Sequence, residues 1–457
     1  MRASQATRTV AGKRTPPTAD GAPRTEWRNW AGNQRADDVQ VVAPRTVDEL
    51  ARTVADLADA GRGVRPIGTG HSFTAIGVPH DVQLRLDHLD AITAVDLERA
   101  QVTVEAGIRL SVLNRALETL GLGLTNLGDI EEQTLAGAIS TGTHGTGLRF
   151  GGLATQVCAL ELVLADGSRL TCSAQENPDV FAAARVGLGA LGVLATVTLQ
   201  AEPAFAVRAR EGGGRLDETI ERFDHDAATH DHVEFYWFPH TRSVLTKHNT
   251  RVALDADRPP ALSRRRAWWD DDFLSNTVFG AVVGAGRRVP PLVRPLARVS
   301  ASALGDREFS DVSHRVFTSP RRVRFEEMEY AVPREHGMAV LRELVRRVEA
   351  SRWRIAVPVE VRVAAADDIT LSTATGRDTV YVAVHTAPGS PDRDAYFAAL
   401  EGIAGEVGGR PHWGKLHGLD AATLRERYPR FEDFLALRDR LDPGRTFGNS
   451  HLERVLG

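Results

Sequence analysis

Lysine is nearly missing from this chain of 457 residues: of 56 basic residues only Lys13, Lys247 and Lys415 are lysine, leaving 53 arginines. The generic surface cation is arginine here. A persisting lysine therefore marks a candidate site for a compact charge with a tunable pKa, with chance survival as the plain alternative for any one of the three. Cysteine is scarcer still. Cys158 and Cys172 stand alone, too few for a disulfide framework or a cysteine metal site, which fits a reducing, cytoplasmic setting. The most apolar later stretch, Thr277 to Gly286, falls well short of the roughly 20 residues that cross a bilayer, so no membrane span is expected. A net charge of −4 gives no basic footprint for nucleic acid. The histidines show no ligand spacing such as H-E-x-x-H, and no metal is indicated.

What is present has the composition of a globular protein, long enough for two or three domains. Residues 1–25 carry Arg, Thr, Ser and Pro without an apolar core, which reads as a disordered tail; an Arg-rich, acid-poor start also has the character of an organellar transit peptide. From Asp38 to Gln200 short β-rich runs alternate with helical ones, the pattern of an α/β layer. VQVVAP reads as a strand, and Thr46 to Gly61 as a helix with apolar residues at Leu50, Val54, Leu57 and Ala58 and Gly61 closing it. The strand VRPIG feeds the loop Gly68 to Phe73 (GTGHSF), whose glycines let backbone approach a ligand.

A second candidate is Thr125 to Gly147 (TNLGDIEEQTLAGAISTGTHGTG), where small residues and hydroxyls suit a surface whose N–H groups meet phosphate oxygens. A glycine-rich turn without a ligand is its bland counterpart. Gly187 to Gly192 (GLGALG) satisfies G-x-G-x-x-G, yet a helix (NPDVFAAAR) precedes it and a strand (VLATVTL) follows. A dinucleotide fingerprint needs the reverse order, so a Rossmann NAD site is rejected. After Pro203 the chain reads as a second domain to about residue 409. Within it, the segment around Trp268 and Trp269 reads as a helical excursion on its own domain, with a membrane or partner surface as the competing reading. In PVEVRV, Glu360 and Arg362 are two apart, so a strand sends both side chains from one face, and the flanking valines argue for burial rather than a surface ion pair.

Taken in order, GTGHSF, LAGAISTGTHGTG, GLGALGVLATVTL, EFYWFPHT, PVEVRVAAADD, GRPHWGKLH and LDPGRTFGNSH resemble the FAD-linked aldonolactone oxidase and alditol oxidase group of the vanillyl-alcohol-oxidase superfamily. The resemblance covers nearly everything from Trp27 to Leu452. It implies an α+β protein with a two-lobed PCMH-type FAD-binding domain over residues 26–203, an α/β cap over 204–409, and a segment 410–457 returning to the FAD domain and active site. It also implies that Pro66, Ile67, Gly68, Thr69, Gly70, His71 and Ser72 wrap the pyrophosphate. Asp129, Thr134, Gly137, Thr141, Gly142, Thr143 and His144 look like further FAD contacts, and Val193 would pack on the adenine or ribose side.

His71 matches the histidine that links FAD covalently in some members. Glu360 and Arg362 match the group's Glu-x-Arg pair on a cap strand, which would orient substrate hydroxyls, and Lys415 in HWGK matches a lysine near flavin and substrate, where a cation meets developing negative charge. Gly128 matches a position beside the flavin where oxidases have Gly and dehydrogenases Ala, so O2 is the expected acceptor and hydrogen peroxide the second product. EFYWFPHT leans to sugar-1,4-lactone enzymes, while EVRVAAADD and RPHWGKL also occur in alditol oxidases. The lactone is placed first, with a polyol substrate, a dehydrogenase using another acceptor, and a non-catalytic flavoprotein as the competing readings. Glu360, Arg362 and Lys415 together oppose the last.

Overall fold

In the computed structural model of the chain, residues 24–267, 280, 284, 289–302 and 305–457 are described. Lys13, Trp268 and Trp269 lie outside them, as does most of the stretch from Thr277 to Gly286.

Residues 24–200 build two small sheets around one core. A four-stranded sheet runs Arg24–Arg28, Arg35–Val42, Val82–Leu84, Val64–Pro66, with the last three strands parallel. Arg24 and Thr25, assigned to the tail by composition, instead pair with Gln40 and Val39; an edge strand can be polar and still be held, here by buried Trp27. The helix Val47–Asp59 forms because Leu50, Val54 and Leu57 fall on one face and bury completely. Its start is fixed by the Thr46 hydroxyl accepting from Glu49 N–H at 3.1 Å, while the Glu49 carboxylate accepts from Arg45 N–H at 2.9 Å. Gly61 follows the helix at φ +68°, the left-handed turn that glycine adopts without a Cβ penalty.

A five-stranded antiparallel sheet follows in the order Ile92–Asp96, Gln101–Glu105, Val193–Gln200, Val157–Val163, Arg169–Ser173. The stretch read as a small-residue surface contains a six-residue helix, Leu135–Ser140, started by Thr134. Leu135, Ala138 and Ile139 bury, so the apolar residues between the glycines are enough to hold one and a half turns against the core.

The largest sheet has eight antiparallel strands in the order Arg307–Val312, Ala206–Arg215, Ser243–Val252, His232–Trp237, Val359–Ala364, Thr379–Thr386, Glu326–Pro333, Arg410–Pro411. Strict alternation gives it two faces. Phe235, Trp237, Val359, Val361, Val363, Val380, Val382, Val384, Met328 and Tyr330 bury against Ile220, Phe223, Leu341, Leu344 and Leu400 from the covering helices. The intervening residues put polar groups on the opposite face. That face meets the first lobe: Gly147 N–H donates to Val363 C=O at 2.7 Å. After residue 411 the chain leaves the large sheet, and Trp413, Leu424, Phe434, Phe447 and Leu452 complete the core of the first lobe.

Candidate active site

A cleft opens in the first lobe. Pro66, Ile67, Gly68, Thr69, Gly70, His71 and Ser72 line it together with Thr134, Gly137, Thr141 and Val193. Arg65, which the sequence reading passed over, lines the same cleft. Its guanidinium is fully buried and donates to four carbonyls: Ile76 at 2.7 Å, Leu188 at 2.7 Å, Phe447 at 2.9 Å and Gly189 at 3.0 Å. Burial first, and Arg438 second, pull its pKa down to about 9. The cleft suits a large ligand rich in acceptors. Gly68 leaves no room for a side chain, since a Cβ would sit 2.2 Å from Thr134 Oγ1; Gly189 and Gly192 need φ of +63° and +147°; and Thr69 Oγ1 is buried with no protein partner.

The other expected contacts sit elsewhere. Asp129 pairs with Arg321, Nη2 at 2.8 Å and Nε at 3.1 Å. Thr143 exchanges hydrogen bonds with the Gln133 amide, and Gly142 turns the chain at φ +79°. His144 donates Nδ1–H to Gly145 C=O at 2.9 Å, stacks on Tyr381 at 3.6 Å and faces Glu329 at 3.2 Å. Gly128 lies against this turn: an added Cβ would be 3.0 Å from Thr143 Cγ2 and 3.3 Å from His144 C=O. His71 stacks on Trp30 with centroids 5.6 Å apart. Burial, ahead of any charge, lowers its pKa to about 4, so the imidazole is neutral and nucleophilic at neutral pH.

Where it meets the first lobe, the polar side of the large sheet carries a buried charge network. Arg362 bridges two carboxylates, Nη2 to Glu360 at 2.6 Å and Nε to Glu234 at 2.7 Å. Tyr236 OH lies 2.8 Å from Glu360 Oε1 and 3.0 Å from Glu234 Oε1, and Lys247 Nζ reaches Glu234 at 2.8 Å. Lys415 pairs with Glu327 and stands 3.9 Å from Glu329. It is held beside the GTGHSF loop because Phe73 N–H donates to Gly414 C=O at 2.6 Å and Thr74 Oγ1 to Trp413 C=O at 3.1 Å. His385 donates Nδ1–H to Pro358 C=O at 2.8 Å, leaving Nε2 toward Glu327 at 3.4 Å. Burial opposes a charge there, but the Glu327 carboxylate outweighs it and raises the His385 pKa.

Glu360, Arg362 and Lys415 thus share one buried face. Glu234, Tyr236, Lys247, Asp129, Arg321, Glu327, Glu329, His385 and Arg65 were missed in these roles. Glu327 and Glu329 carried a signal, since FEEMEY alternates charge with apolar residues at the period of a strand. Two sets of groups, His144 with Glu329 and His412, and Glu327 with Glu360 and His385, bring ligand-type atoms within 4.8 Å of one another, a convergence that linear histidine spacing does not disclose. The Lys415 ammonium already supplies a cation to Glu327 and Glu329.

A mixed helix-and-sheet lobe with a glycine-lined cleft, faced by a capping sheet, is the architecture of the PCMH-type FAD-binding flavoenzymes. Residues 39–173 match the FAD binding domain family. Cholesterol oxidase from B. sterolicum superposes with a TM-score of 0.84 over 98% of this chain and 100% of that one, at 20% identity, a likeness of fold. Residues 197–455 match the family described as D-arabinono-1,4-lactone oxidase. An L-gulono-1,4-lactone dehydrogenase of Mycobacterium tuberculosis is 41% identical, covering 94% of this chain and 99% of its own. L-gulonolactone oxidase of Bos taurus is 35% identical (94% and 98%) and an alditol oxidase of Streptomyces sp. 34% (94% and 98%). The chain belongs to the D-arabinono-1,4-lactone oxidase family, and it is an FAD-dependent oxidoreductase acting on CH–OH donors. Among the described residues no helix is long and apolar enough to cross a membrane.

Proposed function

We propose that the chain oxidises a CH–OH group of a sugar-1,4-lactone. The observation that carries this reading is the Glu360–Arg362 pair, buried on one strand of the large sheet, with Lys415 held nearby against the GTGHSF loop at Phe73. A polyhydroxylated substrate needs donors and acceptors fixed before it arrives, and this face offers both in a water-poor setting where they act strongly. Bound FAD supplies the hydride acceptor for the carbinol C–H bond.

The protein's own residues supply the rest. Pro66 to Ser72, Thr134, Gly137, Thr141 and Val193 hold the cofactor, with Gly142, Thr143 and His144 shaping the adjoining turn. Arg362 and Glu360 orient the substrate hydroxyls, and Glu360 accepts the hydroxyl proton. Both contacts of its carboxylate to Arg362 and Tyr236 fall on Oε1, so Oε2 is the atom for this task. Lys415 places a cation where negative charge develops. His71 would hold FAD covalently through its neutral imidazole; acid-precipitated wild type would then retain its yellow colour, and His71→Ala protein would lose it to the supernatant.

Gly128 supports O2 as the acceptor, with hydrogen peroxide released. The test is peroxide production from a panel of aldonolactones and alditols, repeated without oxygen on an artificial electron acceptor. Lactone-dependent peroxide is the expected result. Alditol turnover alone would move the assignment to a polyol oxidase, and turnover only with the artificial acceptor would make it a dehydrogenase. Gly128→Ala, whose new methyl crowds Thr143, lowers peroxide formation severalfold and spares the artificial acceptor. The two cysteines, both free, support a cytoplasmic location.

A further inference from the structure

The Tyr236 hydroxyl stands between two carboxylates with one hydrogen to give. Glu360 Oε1 is 2.8 Å away and Glu234 Oε1 is 3.0 Å away, and a phenol can donate to only one of them at a time. Glu234 is closed off from any substrate role by its partners: Lys247 Nζ at 2.8 Å on one oxygen and Arg362 Nε at 2.7 Å on the other. Lys247 is itself braced from behind, because Glu211 is its partner across the sheet and Arg307 holds Glu211 at 2.7 Å. Lys247, one of three lysines in the sequence, is thus the ammonium that keeps a buried carboxylate ionised next to Glu360.

We propose that Lys247, Glu234 and Tyr236 form a positioning array that sets the proton affinity of Glu360, allowing it to take the substrate's hydroxyl proton and then release it. This rests on Glu360 as the proton acceptor. In the step, the substrate O–H bond breaks and a new O–H bond forms on Glu360. The oxygen's electron pair closes the C=O bond as the C–H pair leaves as hydride to FAD. Glu360 is then a neutral acid, and the single Tyr236 hydrogen swings from Glu360 to the still ionised Glu234. The array stabilises each protonation state of Glu360 in turn.

The opposing influences on Glu360 come from every neighbouring element. Arg362 on its own strand favours the ionised form, as does the Tyr236 hydrogen bond. Glu234 on the adjacent strand, Glu327, whose carboxylate lies within 4.8 Å, and Asp129 from the first lobe oppose it, while His385 on the other flanking strand and Arg321 favour it. Burial is the largest influence, and the net direction is upward. Burial also disfavours charge on Glu234, yet Arg362 and Lys247 bring it down to about 2. It therefore remains a fixed negative neighbour throughout turnover.

The experiment is the pH profile of anaerobic flavin reduction by substrate in single-turnover mixing, run on holoenzyme. Protonating Glu360 removes the acceptor, so the rate falls on the acid side of its pKa. Glu234→Gln removes a like charge and shifts that limb to lower pH by about one unit. Tyr236→Phe removes a donor to the ionised form and shifts it to higher pH. Lys247→Met moves it upward as well, and Lys247→Arg restores the wild-type position. A second readout needs no turnover: the infrared carbonyl band of a protonated carboxyl, assigned by its loss in Glu360→Gln, titrates with the same displacements in substrate-free holoenzyme. Limbs and bands that stay at the wild-type pH in all three variants, or that move in one common direction, would overturn the array. A Glu360→Gln enzyme that keeps both rate and acid limb would instead overturn Glu360 as the acceptor.

Discussion

At the scale of single residues, rarity was the most informative signal in the sequence. Two of the three lysines end in one charge network, each paired with a buried glutamate: Lys247 with Glu234 and Lys415 with Glu327. Arginine could carry the charge, but an ammonium is compact enough to sit against one carboxylate oxygen without demanding a planar, forked partner. Lys415→Met is expected to retain FAD and slow flavin reduction by about 100-fold to 1,000-fold, the usual scale for removing one group aimed at developing charge. Stopped-flow absorbance checks it, and near-wild-type reduction would take Lys415 out of the chemistry. Composition marked Lys247 just as strongly, yet no local motif surrounds it. Its meaning depends on a cross-strand register with Glu234, which no window of sequence displays. Arg65 was illegible for a related reason: its four carbonyl partners lie as far as 382 positions away.

The elements of the fold were far more readable than their partners. Helix Val47–Asp59 and strand Val359–Ala364 follow from apolar spacing at 3.6 and 2 residues, because burial of one face is what stabilises each. The alternation of the cap strands also dictated which side would be polar. It could not say which polar side chains would meet, since that requires strand order and the eight-stranded sheet draws neighbours from positions 206 to 411. The short helix Leu135–Ser140 was hidden by Gly137, whose low helix propensity is overruled by burial of Leu135, Ala138 and Ile139 around it.

Helix Arg334–Ala350 offers an element-scale test. It packs on the sheet at Gly337, where an added Cβ would meet Val380 atoms at 2.5 to 2.7 Å. Helix propensity alone would make Gly337→Ala stabilising by roughly 1 kcal/mol. Overpacking a rigid core costs about 1–3 kcal/mol and is the larger effect. The variant is therefore expected to melt at lower temperature than wild type, and calorimetry giving a higher melting point would show that helix and sheet can part without penalty.

For the molecule as a whole, burial of neutral histidine is the property with the widest reach. His71 and His232 are held down to about 4 and His412 and His451 to about 3, in every case by burial first, and His417 is also depressed. In the unfolded chain these imidazoles take up protons as pH falls through 6.5, whereas the folded state refuses them until pH 4 to 3. The unfolded state then binds more protons, so stability must drop with falling pH across that window. Glu234, depressed to about 2, adds a loss that begins below the ordinary carboxylate range, near 4.5, and runs in the same direction. His385 works the other way, since its raised pKa contributes stability below 6.5 that is lost as pH rises, but it is one group against eight, because His240, His248 and His314 are depressed as well. The melting temperature should therefore decline from about pH 6.5 downward, well before carboxylates titrate, and steepen below 4.5. A melting temperature flat from pH 7 to 5 would mean that these imidazoles are solvated or charged in the native protein.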